Sequence, residues 1–404
     1  MSSGPAITLE QRYLLTYYMH TLVPIFSVFT GSTTYHTSLY IPMAFDSPGV
    51  LNAILARSAS HLAMTNVEAD RIAHFTQLAT FHQLLCHQYL QQCVFNVGDP
   101  SSTSDEIIAT VMLLIALETQ NGTKNQKYMK QLQCARKIVA TRGGPRHFID
   151  AGWEAQCVFG HFLYHEVMVS IMNEVEDNAA NGSSHDAGGP ITNLGTDSMP
   201  IDWNSSYTVD LGPRIDPLMG LSSSLFLKIR QISLLKRLPP GCNERNQLFL
   251  TLEHEITEWC VQQDYAAGKR VNGLDLAAQM DLIALAETCR LAALILLYRT
   301  SDRHFDILVK LAKQIMEFVA RIPDGNQVEA GLLFPLFLAG GELLAWTEME
   351  ACAIRLSRIK ERTRFMNILD VEEVLERVWR SRLNGIQSDW VQVLIEEHRL
   401  VHVA

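Results

Sequence analysis

An all-α fold is what the 404-residue sequence predicts, as a single large domain of about 12–14 helices with a long loop near 177–206. Three observations predict it. Apolar residues recur three and four positions apart nearly everywhere, as in Leu51, Ile54, Leu55, Ala59 and Leu62, and far downstream in Ile307, Leu308, Leu311, Ile315 and Phe318. Alternating apolar and polar runs rich in β-branched residues are scarce, and no Asn-Gly or Asp-Gly pair lies between two strand patterns. The composition, 48% hydrophobic and 19% charged, can bury a large core and excludes a chain disordered throughout.

In chain order, the period places the first helices over about 8–28, 47–65, 68–94 and 104–120. Ser47-Pro48 supplies an N-cap followed by proline at the first helical position, and Asp105 and Glu106 after Ser104 put acids in a first turn, where the helix dipole favours them. Asn121-Gly122 stops that helix. The next, over about 125–141, is closed by Gly143-Gly144-Pro145, and another follows over about 150–174. From Asp177 to Ser206 the chain is rich in Asn, Gly, Ser and Asp, contains Pro190 and Pro200 and has no period, which predicts a flexible insertion. Helices resume over about 215–237, 243–264, 274–299 and 302–321, with Asp324-Gly325 as the stop, and continue over about 328–346, 347–361, 368–383 and 386–398. Pro335 within the apolar run from Leu333 to Glu342 predicts a break or kink, and Gly340-Gly341 predicts close approach of another helix. No fixed-period repeat is present.

With 33 Lys+Arg against 43 Asp+Glu the net charge is −10, which argues against a chain-wide electrostatic footprint for nucleic acid. Met1 to Leu9 lacks the basic and apolar regions of a secretory signal. The most apolar stretches, Leu282 to Tyr298 and Gly331 to Trp346, are short and interrupted by Glu287 and Arg290 and by Pro335 and Glu342, so no membrane span is expected. Eight cysteines (Cys86, Cys93, Cys134, Cys157, Cys242, Cys260, Cys289 and Cys352) are scattered through apolar segments and read as buried thiols.

The motifs narrow the chemistry mainly by exclusion. A DNA-reading binuclear zinc cluster needs six thiolates within a few dozen residues, and Cys86 and Cys93 have no companions. His161 and His165 share a helix face, but Val169 stands where a zincin needs its second histidine, so an interior histidine pair is the preferred reading. No nucleophile elbow, phosphate-cradling loop or dinucleotide fingerprint occurs. Glu174, Glu176 and Asp177 read as a solvated helix end, and Asp281 and Glu287 with Arg290 as an internal ion pair or polar network. Arg355, Arg358, Lys360, Arg362 and Arg364 form the densest basic segment, read as one face of a solvated helix in preference to a phosphate contact.

Taken in order, the segments resemble the fungal-specific transcription factor domain. The resemblance is carried by Tyr17-Tyr18 with Pro24 and Phe26; Ser47 to Ala56; Ile107 to Glu118 with Asn121-Gly122; Leu132 to Gly144; Ile215 to Leu221; Ala286 to Ala293; Leu333 to Glu342; Val374 to Trp379; and Asp389 to Val393. It implies a nuclear regulator whose helical domain mediates autoinhibition, effector binding or partner contacts while a separate zinc cluster reads DNA. This sequence begins almost directly with the helical region and shows no such cluster, so direct DNA contact is not expected. Related regulators of secondary-metabolite pathways can lack it too. The expectation is therefore a fungal transcriptional regulator of such a pathway. It would work through the transcription machinery, another DNA-binding regulator or a small-molecule effector, with a pocket or partner surface near Phe162, Leu285 and Phe337.

A second class resembles the same domain family, the Mg-dependent sesquiterpene cyclases of the humulene type acting on farnesyl diphosphate. That resemblance implies a cytoplasmic enzyme in which Glu166, Asp281 and Glu287 hold Mg²⁺ and Lys228, Lys236 or Arg290 faces the diphosphate. Under the regulator reading, no catalytic, cofactor-binding or metal-ligating residue is assigned.

Overall fold

The computed structural model describes residues 7–28, 36–95, 104–122, 127–149, 151–171, 223–259, 276–301, 305–386, 388–397 and 401–403. Among them every regular element is helical and none is a strand, as the period predicts. The insertion expected at 177–206 lies outside the described residues, as do Glu174, Glu176, Asp177, Cys260 and the segment Ile215 to Leu221. The described helices gather into two compact units. The first takes residues 7–23 and those between 36 and 166; the second takes 24–28, 167–171 and those from 223 onward.

The first unit opens with α1 (Leu9–Tyr17), started by a capping box in which Thr8 accepts from the Gln11 amide and Gln11 returns the bond to the Thr8 amide. The helix expected over 8–28 does not continue as one α-helix. It widens into a π-helical turn at Tyr18–Leu22 before a short α2 (Val23–Phe26) containing Pro24. A second π-helical turn, His36–Tyr40, runs into α3 (Ile41–Asp46), which contains Pro42 and was not expected from the period. The physical reason is shared. A proline inside a helix has no N–H and its ring crowds the carbonyl four residues back, and a wider turn just upstream makes room. In each case the wide turn ends two residues before the proline.

The next helix, α4 (Pro48–Thr65), begins as expected, with Ser47 Oγ accepting from the Val50 amide at 3.4 Å and Pro48 at the first position. It is buried all round from Val50 to Leu62 except at Leu51 and Asn52, which marks it as a core helix and not a surface one. Around it pack α1, α3, α5 (Ala69–Phe95) and α6 (Asp105–Asn121), with α7 (Lys127–Thr141) against α6. Each large side chain this buries contributes about 1.5–3 kcal/mol. α7 ends as the sequence predicts: Gly143 and Gly144 take φ of +94° and +74°, and the Gly144 amide closes back on the Val139 carbonyl at 3.0 Å. Pro145 then starts the short α8 (Pro145–Ile149), and the unit closes with most of α9 (Trp153–Ser170).

The second unit contains α10 (Ser223–Leu235), α11 (Asn243–Thr257), α12 (Leu276–Tyr298), α13 (Phe305–Val319), a 3₁₀ turn (Gln327–Gly331), α14 (Leu333–Glu342), α15 (Trp346–Thr363), α16 (Met366–Leu383) and α17 (Trp390–Glu396). Its core helix is α12, contacted by α10, α11, α13 and α14. Where the sequence predicts one broken helix over 328–346, the break falls at residue 332, and Pro335 sits in the first turn of α14, where a missing N–H costs nothing. All of α14 is buried. Gly340 and Gly341 allow this as expected: a Cβ on Gly340 would lie 2.7 Å from Leu375 Cδ1, and one on Gly341 would lie 2.6 Å from Trp390 Cδ1.

Candidate functional site

Within the first unit, six polar side chains converge in the core. The two wide turns supply Tyr18, His36 and Tyr40; α4 supplies Arg57; α9 supplies His161 and His165. None is more than 4% exposed. Arg57 hydrogen-bonds the Tyr18 phenol and acts electrostatically on Tyr40, His36 and His161. Tyr40 Oη lies 2.5 Å from His161 Nδ1, and His161 Nε2 lies 3.2 Å from His165 Nε2. Tyr18 Oη is 3.5 Å from His36 Nδ1, and the His36 ring meets His161 edge-on with centroids 6.2 Å apart. A guanidinium only donates, so the Tyr18 phenol accepts from Arg57.

Burial sets the protonation here. It lowers His161 to about 3 and His36 well below the usual imidazole range, with Arg57 adding to both and His161 adding to His36. It raises the Tyr18 phenol to about 12 against the pull of Arg57. It lowers Arg57 itself, although Tyr18 and Tyr40 act the other way. The interior histidine pair was legible from the i, i+4 spacing. His36, Tyr40 and Arg57 were not singled out and Tyr18 was named only with the family resemblance; the one signal available was an arginine inside the apolar run Ile54-Leu55-Ala56-Arg57-Ser58-Ala59.

Two charged networks hold the second unit. In one, Arg299 reaches Glu342 and Asp389, each at 2.5 Å, and stacks over Trp390 at 4.9 Å. Asp389 also caps α17, its other oxygen accepting from the Val391 amide at 3.1 Å. The carbonyls at the end of α14 are satisfied by Trp379 Nε1 on Gly340 and by Arg382 on Gly341 and Leu343. Burial opposes the charge on Arg299, but Glu342 and Asp389 outweigh it and raise its pKa; burial raises Glu342 against the pull of Arg299. The second network absorbs the basic segment of α15. Arg355, 7% exposed, meets Asp324 at 2.5 Å and Glu329 at 2.9 Å; Arg362 meets Glu329 at 2.9 Å; Arg358 pairs with Asp324 and Lys360 with Glu372. The solvated face read from the sequence is corrected accordingly: Arg358 and Arg364 face water, but Arg355 and Arg362 are tied to the 2%-exposed Glu329, which the linear sequence places elsewhere.

The cyclase candidates Glu166, Asp281, Glu287 and Lys228 each meet a partner within their own unit. Glu166 pairs with Arg136 at 2.6 Å in the first unit. In the second, Asp281 accepts from Asn326 at 2.6 Å, Glu287 pairs with Arg290 at 2.9 Å, and Lys228 pairs with Glu255. Among the described residues no three His, Cys, Asp or Glu side chains are grouped to hold a metal ion. Phe162 lies in the first unit and Leu285 and Phe337 in the second, each at 0% exposure. Of the seven described cysteines, Cys86, Cys289 and Cys352 are buried and Cys93, Cys134, Cys157 and Cys242 are half-buried, so the expectation of buried thiols holds only for the first three. No described helix is long and apolar enough to cross a membrane.

A family model for the fungal-specific transcription factor domain matches residues 13–403. The chain belongs to that family. The transcriptional activator protein UGA3 of Saccharomyces cerevisiae is 22% identical over 432 residues, covering 96% of this chain and 75% of that protein. No solved structure matches. For the fungal transcription factor domain family, the conclusion at this level is regulation of transcription. The segments that carried the resemblance within the described residues include both core helices, α4 and α12, and the α14–α16–α17 cluster.

Proposed function

We propose that this chain is the helical regulatory region of a fungal transcriptional regulator, acting in the nucleus on a secondary-metabolite pathway through an effector and protein partners. The observation that carries the reading is the family match across nearly the whole chain, supported by the alignment with a transcriptional activator over almost the same length. The scattered cysteines offer no binuclear cluster within these 404 residues, so reading of bases falls to a segment outside them or to a partner regulator.

Deletion of the gene followed by transcript profiling tests the proposal. Loss of several clustered transcripts is expected. Loss of one terpene with all transcripts unchanged overturns it, as does hydrocarbon release when the purified chain is incubated with farnesyl diphosphate and Mg²⁺.

A further inference from the structure

We propose that the outer face of α7 is a docking surface for an acidic helix of a partner protein, held by Lys127, Lys130 and Lys137. The inference rests on the regulator reading above and names the surface that one of its protein partners takes. Its starting point is charge. Between Glu118 and Asp150 the sequence places seven of the chain's 33 Lys and Arg and none of its 43 Asp and Glu. Two arginines of this stretch are taken up inside the unit, Arg136 by Glu166 and Arg142 by Asp105. The three lysines are not: they are exposed, and among the described residues none of them makes an ion pair. Glu118, near the end of the neighbouring α6, accepts from Gln83 instead. Lys228, Lys313 and Lys360, by contrast, each meet a glutamate.

The lysines share one side of the helix. At 3.6 residues per turn their directions fall within about 80° of one another. Half-buried Cys134 and exposed Thr141 lie in the same arc, and Tyr128, Leu132, Ala135 and Val139 are buried on the other side. That placement costs the free helix twice. Lys127 and Lys130 occupy the first turn, where the dipole disfavours cations and no acid offsets them; standing three residues apart, they also repel each other. Local rules broken with no gain inside the fold mark a surface that serves something outside it. The missing gain is a set of anions, and the spacing selects their carrier. Cations that repeat with the helical period over about 15 Å are matched by acids repeating in the same way on a second helix lying alongside. Nucleic acid is the poorer match, since proteins that hold it make about 6–10 phosphate contacts and three lysines fall short.

The test is fluorescence anisotropy with a dye-labelled helical peptide of Ala, Leu and Glu, its glutamates three and four positions apart. The same peptide with Gln for Glu, single-stranded DNA of equal charge and phosphatidylserine vesicles serve as competitors. The full chain is compared with the triple variant Lys127→Gln/Lys130→Gln/Lys137→Gln and with Arg71→Gln/Lys310→Gln/Arg321→Gln, which removes the same charge from exposed positions elsewhere. Saturable binding of the Glu peptide that weakens with added salt is expected for the wild type and the control. The α7 variant should bind it about tenfold more weakly or worse, and carbodiimide should join the peptide to Lys127, Lys130 and Lys137. In the absence of peptide the α7 variant should melt no lower than the wild type, because the substitutions remove repulsion and nothing else. The proposal is overturned if the Glu peptide does not bind, if the Gln peptide or the DNA or the vesicles compete as well as the Glu peptide itself, if the α7 variant binds like the control, or if it melts well below the wild type. A chain that ignores the acidic peptide but whose deletion still silences clustered transcripts overturns this inference and leaves the regulator reading standing; binding with unchanged transcripts overturns the latter alone.

Discussion

His36, His161 and His402 are buried and held below the ordinary imidazole range, burial being the first cause in each, with His161 at about 3 and His402 at about 4. In the unfolded chain an imidazole titrates near 6.5. Between that value and the lowered one, the unfolded chain binds a proton that the native chain refuses. Stability is therefore complete above about pH 6.5 and falls as pH drops toward the folded values, by about 1.4 kcal/mol per pH unit for each such group. Urea midpoints measured at about pH 7.5 and 5.5 should differ, the lower pH giving the earlier transition, and His402→Asn should flatten the difference by one group; a midpoint independent of pH contradicts the assignment. A second residue-scale expectation concerns Arg299. Its replacement by Met strands Glu342, which is 4% exposed, and should cost about 3–5 kcal/mol, whereas Arg299→Met with Glu342→Leu should recover much of it. Equal losses in the single and double variants, read from chemical denaturation, would show that the stranded Glu342 charge is not what the single replacement costs.

At the scale of elements, the glycines of α14 set how closely α16 and α17 approach. Gly341→Ala drives a methyl into the Trp390 ring and should destabilise the chain by about 1–3 kcal/mol, visible as a lower Tm. An unchanged Tm would mean that Trp390 has room to withdraw. Most helices were legible because a 3.6-residue period survives in sequence, and the Ser47-Pro48 start and the Gly143-Gly144-Pro145 stop were legible because capping is local chemistry. The two wide turns were not legible. They arise where Pro24 and Pro42 interrupt a ladder that apolar spacing alone would continue, and the period carries no record of a one-residue widening. The core constellation stayed hidden for a different reason: Tyr40 and His161, in hydrogen-bond contact, are 121 positions apart. Likewise the basic run of α15 looked solvated because Asp324 and Glu329, which neutralise it, belong to the turn before α14.

For the whole molecule, the net charge of −10 and the capture of the densest basic segment by its own acids leave little with which to hold phosphates. Purified chain should fail to retard random-sequence DNA at about 150 mM salt; retardation that weakens steeply with added salt would contradict this. Family membership was legible in the order of motifs along the chain, whereas the core constellation was not, because its six side chains come from separate elements. The double duty of Asp389 has a practical bearing on how such a chain is dissected. One of its oxygens anchors Arg299 and the other starts α17, so trimming the sequence back past position 389 removes a countercharge of the buried Arg299 along with the final helix. Deletion series that shorten the chain from that side will register collapse of the scaffold, and silence in a reporter strain from such a series is no guide to where an activating surface lies.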